Sequence, residues 1–139
     1  MDTTRRSSPE TPDPLSRLRA LCTVLPEVTE KASHGEPTWF VRKVFVTYAD
    51  HHHDDRVAFW CAAPPGVQEA LVGSRPDRFF RPPYVGGRGW LGVWLDGGDV
   101  DWEEVAEIVT DAYREIAPKK LVARLPDPAP NSANGPLER

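Results

Sequence analysis

Residues 39–49, WFVRKVFVTYA, and residues 56–62, RVAFWCA, are separated by only six polar residues. Both segments are rich in β-branched and aromatic side chains, the types that suit a pleated and half-buried surface. So short a connection suits antiparallel strands, because a parallel pair needs a crossover of a dozen residues or more. The pair therefore predicts a hairpin with its tip at 50–55, and the first segment is either one strand or two short ones pivoting at Arg42-Lys43. A third apolar stretch, WLGVWLDG, sets Trp90, Gly92 and Trp94 on one side and Leu91, Val93 and Leu95 on the other. That alternation predicts another strand with one buried face.

Helical signals flank this block. Asp13-Pro14 has the form of an N-cap acid followed by proline at the first helical position, and Leu15, Leu18, Cys22 and Leu25 recur at helical spacing up to Pro26. The stretch 27–38, EVTEKASHGEPT, carries no such period and is expected to be a loop. Pro64-Pro65 opens a short helix through Val67, Ala70 and Leu71. Asp101 and Glu104 form an Asp-x-x-Glu cap for an amphipathic helix ending before Pro118. The order α-β-β-β-α-β-α, with the strands clustered centrally, predicts an α+β fold: an antiparallel sheet with helices packed on one face.

With 139 residues the chain suits one domain, expected over 13–125. The polar, proline-bearing stretches 1–12 and 126–139 bury too little apolar surface to order themselves and are expected to be disordered tails. No apolar run is long enough to span a bilayer, and the first residues lack the apolar stretch of a signal peptide, so a cytoplasmic location is expected. Cys22 and Cys61 form no CxxC and sit in apolar surroundings, which predicts buried free thiols.

A net charge of −4 argues against nucleic-acid binding driven by bulk charge, but the charge is unevenly spread. Four arginines (75, 78, 81 and 88) face one acid between Arg75 and Arg88, whereas eight acids face one base between Asp96 and Glu115. A basic loop region and an acidic helix are expected.

Several stretches resemble the MmcQ/YjbR-like family of small bacterial proteins. They are HGEPTWFVRKVF, DRFFRPPYVGGRGWLGVWLD and YREIAPKKLVAR, which together span most of residues 15–124. The markers are His34-Gly35-x-Pro37, Phe79-Phe80, Tyr84, Gly89-Trp90 and Ala117-Pro118-Lys119-Lys120. The resemblance implies a compact α+β fold with an antiparallel sheet. It also implies the DNA-binding label often given to members, which rests on two β-wings; it supplies no catalytic residues to carry over. In this chain the 50–55 loop would be one wing tip, and its acids would repel phosphate.

Three sets of residues are candidates for function. DNA contact through phosphate would use Arg42, Lys43, Arg75, Arg78, Arg81 and Arg88; alternatively, these arginines are solvated or pair with the acidic helix. A small-molecule or protein-binding pocket under the 81–90 loop would use His34, Trp39, Tyr84, Arg88 and Trp90, where glycines let backbone approach a ligand. The competing reading places the aromatic residues in the core. A metal would draw on His51, His53 and Asp55, but adjacent residues in an extended chain point to opposite sides, so the plainer reading is a solvated hairpin tip. No nucleophile elbow or base-orienter pair is legible, so a non-enzymatic binding protein without cofactor is expected.

Overall fold

The computed structural model describes residues 13–33, 35–50, 56–96 and 100–125, apart from the side chain of Asp50. Helix α1 (Pro14–Thr23) starts at Asp13 with proline at its first position, although the aspartate side chain accepts no capping hydrogen bond. Among the described residues six strands follow in one sheet: β1 (Thr29–Ser33), β2 (Glu36–Val41), β3 (Lys43–Asp50), β4 (Val57–Cys61), β5 (Phe79–Phe80) and β6 (Leu91–Trp94). Helix α2 (Val67–Ser74) lies between β4 and β5 in the chain, and α3 (Trp102–Ile116) and α4 (Lys119–Val122) follow β6. All pairings are antiparallel, in the order β1-β2-β3-β4-β6-β5. The fold is α+β, as expected.

The 39–49 segment is two strands, and Arg42 makes the pivot with a left-handed backbone (φ 71°). The stretch expected to be a loop contains β1, which pairs residue by residue with β2. Its side chains, TEKAS, are mostly exposed, so no apolar alternation marks it. Charged side chains on such an edge strand also discourage pairing with other chains.

Register separates the sheet's two faces, because directly opposed residues project to the same side. One row runs Trp39↔Val46↔Cys61↔Leu91, and the next runs Tyr48↔Phe59↔Val93↔Phe79. All of these are buried, and they pack beneath the helical layer with Leu18 and Cys22 of α1 and Val105, Val109 and Tyr113 of α3. Between Phe40 and Trp39 on β2 the partner changes from Val44 to Val46, leaving Phe45 as an extra residue in β3. This β-bulge sends two consecutive side chains, Phe45 and Val46, into the core. The Phe45 ring meets Tyr113 edge-on at 5.7 Å.

Helix α3 is capped as the sequence predicted: the Asp101 carboxylate accepts from the backbone N–H groups of Glu103 and Glu104. The Glu104 side chain does not return the cap but pairs with Arg75. Lys119 and Lys120 open the short helix α4 after Pro118 instead of closing α3. Both cysteines are free and buried, and burial pushes both thiols well above the usual cysteine range. No helix among the described residues is long and apolar enough to cross a membrane.

Candidate functional site

The other face of the sheet has a different covering. Its central row is Thr38↔Thr47↔Trp60↔Gly92↔Phe80, with Ala49↔Ala58↔Trp94 beside it. Small residues are interspersed with the large aromatic ones. Gly92 is required here, since a Cβ on it would lie 2.4 Å from the Phe80 ring. Phe80 in turn stacks on Trp94, with centroids 4.6 Å apart, and the Arg56 guanidinium lies 4.0 Å from the centre of the Trp94 ring. Arg56 also forks onto Asp96 at 2.8–3.3 Å, which holds the Asp96 carboxyl below the ordinary carboxylate range.

The 81–90 loop takes the place of a helix over part of this face. It is pinned from below by Gln68 of α2, whose buried side-chain amide donates to the carbonyls of Gly86 (2.8 Å) and Trp90 (2.6 Å). Arg81 donates to the Gln68 oxygen at 3.5 Å. The Arg81 stem passes so close to Gly86 that a Cβ there would meet Arg81 Cγ at 2.6 Å. With both ends held, the loop lifts Tyr84 outward with a left-handed backbone (φ 67°), leaving it 85% exposed. A non-glycine residue in that conformation is uncommon, and such strain collects at functional sites.

Between loop and sheet lies a cleft of about 550 Å³. Thr47, Ala49 and Trp60 line it from the sheet, Tyr84, Arg88 and Trp90 from the loop, and Ser33 and Glu36 from the β1–β2 hairpin; among the described residues, none from an α-helix contributes. The volume lies within the range of small-molecule sites. The Tyr84 and Trp60 rings are tilted across it with centroids 6.5 Å apart, and the Arg88 guanidinium sits 5.4 Å from the Trp90 ring centre. A smaller recess of about 150 Å³ adjoins it, sharing Ala49 and Trp60 and reaching Arg56, Phe80 and Arg81.

The expected pocket residues divide. Tyr84, Arg88 and Trp90 line the cleft together. Trp39 does not: it is fully buried on the helical face, and its indole N–H donates to Glu30 at 3.0 Å. Arg19 forks onto the same Glu30 and holds its carboxyl below the usual range. Pleat parity is the physical reason for the correction, because Trp39 opposes Val46 and not Thr47. His34 lies outside the described residues, as do His51, His53 and Asp55. Among the described residues, no three His, Cys, Asp or Glu side chains converge on a metal position.

The six basic candidates do not form one surface of similar groups. Arg75 forks onto Glu104 of α3 and stacks on Phe79. Arg78 donates to the backbone carbonyls of Trp94 and Asp96. Arg81 is engaged with Gln68, Arg88 faces the cleft, and Arg42 and Lys43 are exposed at the β2–β3 turn. Sequence reading overlooked Gln68, Thr47 and Trp60. Gln68 is one of only two polar residues buried among those described, but an isolated glutamine on a short helix gives no signal of that.

No curated protein matches the chain. Its fold resembles the crystal structure of Deinococcus radiodurans protein DR2400, which carries a DUF419 domain. The TM-score is 0.63 at 19% identity, covering 87% of this chain and 95% of that one. The YjbR family model matches residues 23–115, a span running from the end of α1 almost to the end of α3 and including the sheet, Gln68 and the whole cleft loop. A match over that much of the chain settles the relationship: the protein belongs to the YjbR family.

Proposed function

We propose that this chain is a non-catalytic binding module that takes a small aromatic molecule in the cleft between the sheet and the 81–90 loop. The observation that carries this reading is the fixed loop. Gln68 bonds it at its middle, Gly86, and at its end, Trp90, so Tyr84, Trp90 and Arg88 line the cleft with Trp60 before any ligand arrives. Preorganisation of this kind lowers the ordering cost of binding. Aromatic walls favour a planar ring, and a guanidinium favours an anionic group on it.

DNA contact through phosphate, which the family label suggests, receives less support from the basic side chains. Arg75 and Arg78 are already committed to an acid and to backbone carbonyls, and a phosphate would have to displace those contacts. Binding to the protein's own groups costs a basic patch much of its electrostatic reach.

Anilinonaphthalene sulfonate, a planar probe with one anionic group, tests the reading directly. The folded protein should bind it saturably at one site, with energy transfer from tryptophan. Thr47→Phe, which fills the cleft floor, should abolish the signal, and Arg88→Gln should weaken it. A flat titration, together with a salt-sensitive shift of duplex DNA that is lost in Arg78→Glu/Arg81→Glu, would replace the cleft reading with the DNA one.

A further inference from the structure

We infer that the cleft selects zwitterionic aromatic compounds of the amino-acid type, with a carboxylate directed to Arg88 and an ammonium group to Glu36. This rests on the cleft being a small-molecule site and specifies its ligand further.

The charge pattern of the lining carries the inference. Arg88 and Glu36 line the same cleft from opposite elements, the loop and the β1–β2 hairpin. Among the described residues neither has an ion-pair partner, and they do not pair with each other. Some charges around the sheet are already paired. Arg19 meets Glu30, Arg56 meets Asp96, and Arg75 meets Glu104. Glu36 and Arg88 are the two charged side chains among the described lining residues of the cleft, and they are of opposite sign.

A ligand bearing one charge would satisfy one of the two groups and leave the other without a counter-charge. A zwitterion satisfies both at once. Its ring would lie among Trp60, Tyr84 and Trp90, with the Thr47 hydroxyl on the floor as a further hydrogen-bonding group. Arg88 is suited to the carboxylate because a guanidinium can donate two parallel hydrogen bonds to it, and its position against Trp90 limits the freedom it must lose. Opposite charges at separate points of one cleft also fix the ligand's direction, which an aromatic cage alone does not.

Isothermal titration of the full chain with tryptophan, indole propionate and tryptamine tests this, since the three share a ring and differ in charge. Tryptophan should bind about tenfold or more tightly than either singly charged compound, a step of about 1.4 kcal/mol. Glu36→Gln should erase its advantage over indole propionate, and Arg88→Gln its advantage over tryptamine, each variant retaining the wild-type melting temperature. Equal affinity of wild type for tryptophan and indole propionate, or advantages unchanged in the two variants, overturns the inference. So does saturable binding of anilinonaphthalene sulfonate with no heat from any of the three indoles, a result that leaves the cleft itself standing as a binding site. Absence of both signals removes the cleft and its ligand class together.

Discussion

The two faces of this sheet are built from alternate residues of the same strands, yet they are covered in different ways. On the helical face, Trp39, Phe45, Val46, Phe59 and Val93 are almost wholly buried beneath α1 and α3. On the other, Thr47, Ala49 and Trp60 meet a ten-residue loop that leaves a cleft. Close packing on one side supplies cohesion, while incomplete packing on the other leaves space with defined walls. The difference lies less in hydrophobicity than in what holds the cover in place: apolar contact for the helices, two hydrogen bonds from Gln68 for the loop.

The contrast can be broken first on its stronger side. Phe45→Ala removes a fully buried ring set against Tyr113 and should cost about 3–5 kcal/mol in urea unfolding. A loss under about 1 kcal/mol would mean that the bulge relaxes to refill the space, and that the helical face is less rigid than its packing implies.

The loop side should respond more mildly and in a different observable. Gln68→Leu leaves the carbonyls of Gly86 and Trp90 without their donor, at a cost of about 1–3 kcal/mol. Hydrogen exchange should accelerate selectively over residues 81–90 while β3 and β4 keep their protection. Uniform acceleration across the sheet would show that loop and sheet open as one unit, and the contrast between the faces would fail.

The rim gives the smallest effect. Arg56 lowers the pKa of Asp96, so the pair stabilises the fold above the ordinary carboxylate pKa, and this contribution is lost as pH falls through the lower folded value. Asp96→Asn should therefore flatten the decline in stability below about pH 4. At neutral pH it should cost under about 1 kcal/mol, because both side chains are partly exposed and screened. A steeper acid decline in the variant would reverse the assigned sign.

The elements most legible in the sequence are those whose side chains bury apolar surface with a regular period. The β3–β4 hairpin, β6 and α3 follow from alternation or helical spacing, with Asp101 marking the start of α3. Strand β1 has no such signature, because its role is carried by backbone pairing and by Glu30, a polar residue on an edge. Of the cleft, Tyr84, Arg88 and Trp90 were visible because an aromatic and basic loop rich in glycine and proline stands out. Trp39 was misplaced because facing depends on register, which a sequence does not print. Gln68 and Thr47 gain their positions only from contacts made across the fold, Gln68 reaching backbone 18 and 22 residues away.

The extra residue in β3 has a consequence for how the molecule divides its surfaces. Were β3 to run from Val44 without the bulge, every side chain after Phe45 would exchange sides. Val46 would then floor the cleft with bulk, and Thr47 and Ala49 would lie beneath α3, leaving a void and a buried hydroxyl. One irregular step in a single strand thus acts as the molecule's parity bit, keeping the groups that hold the fold together apart from those that meet the outside.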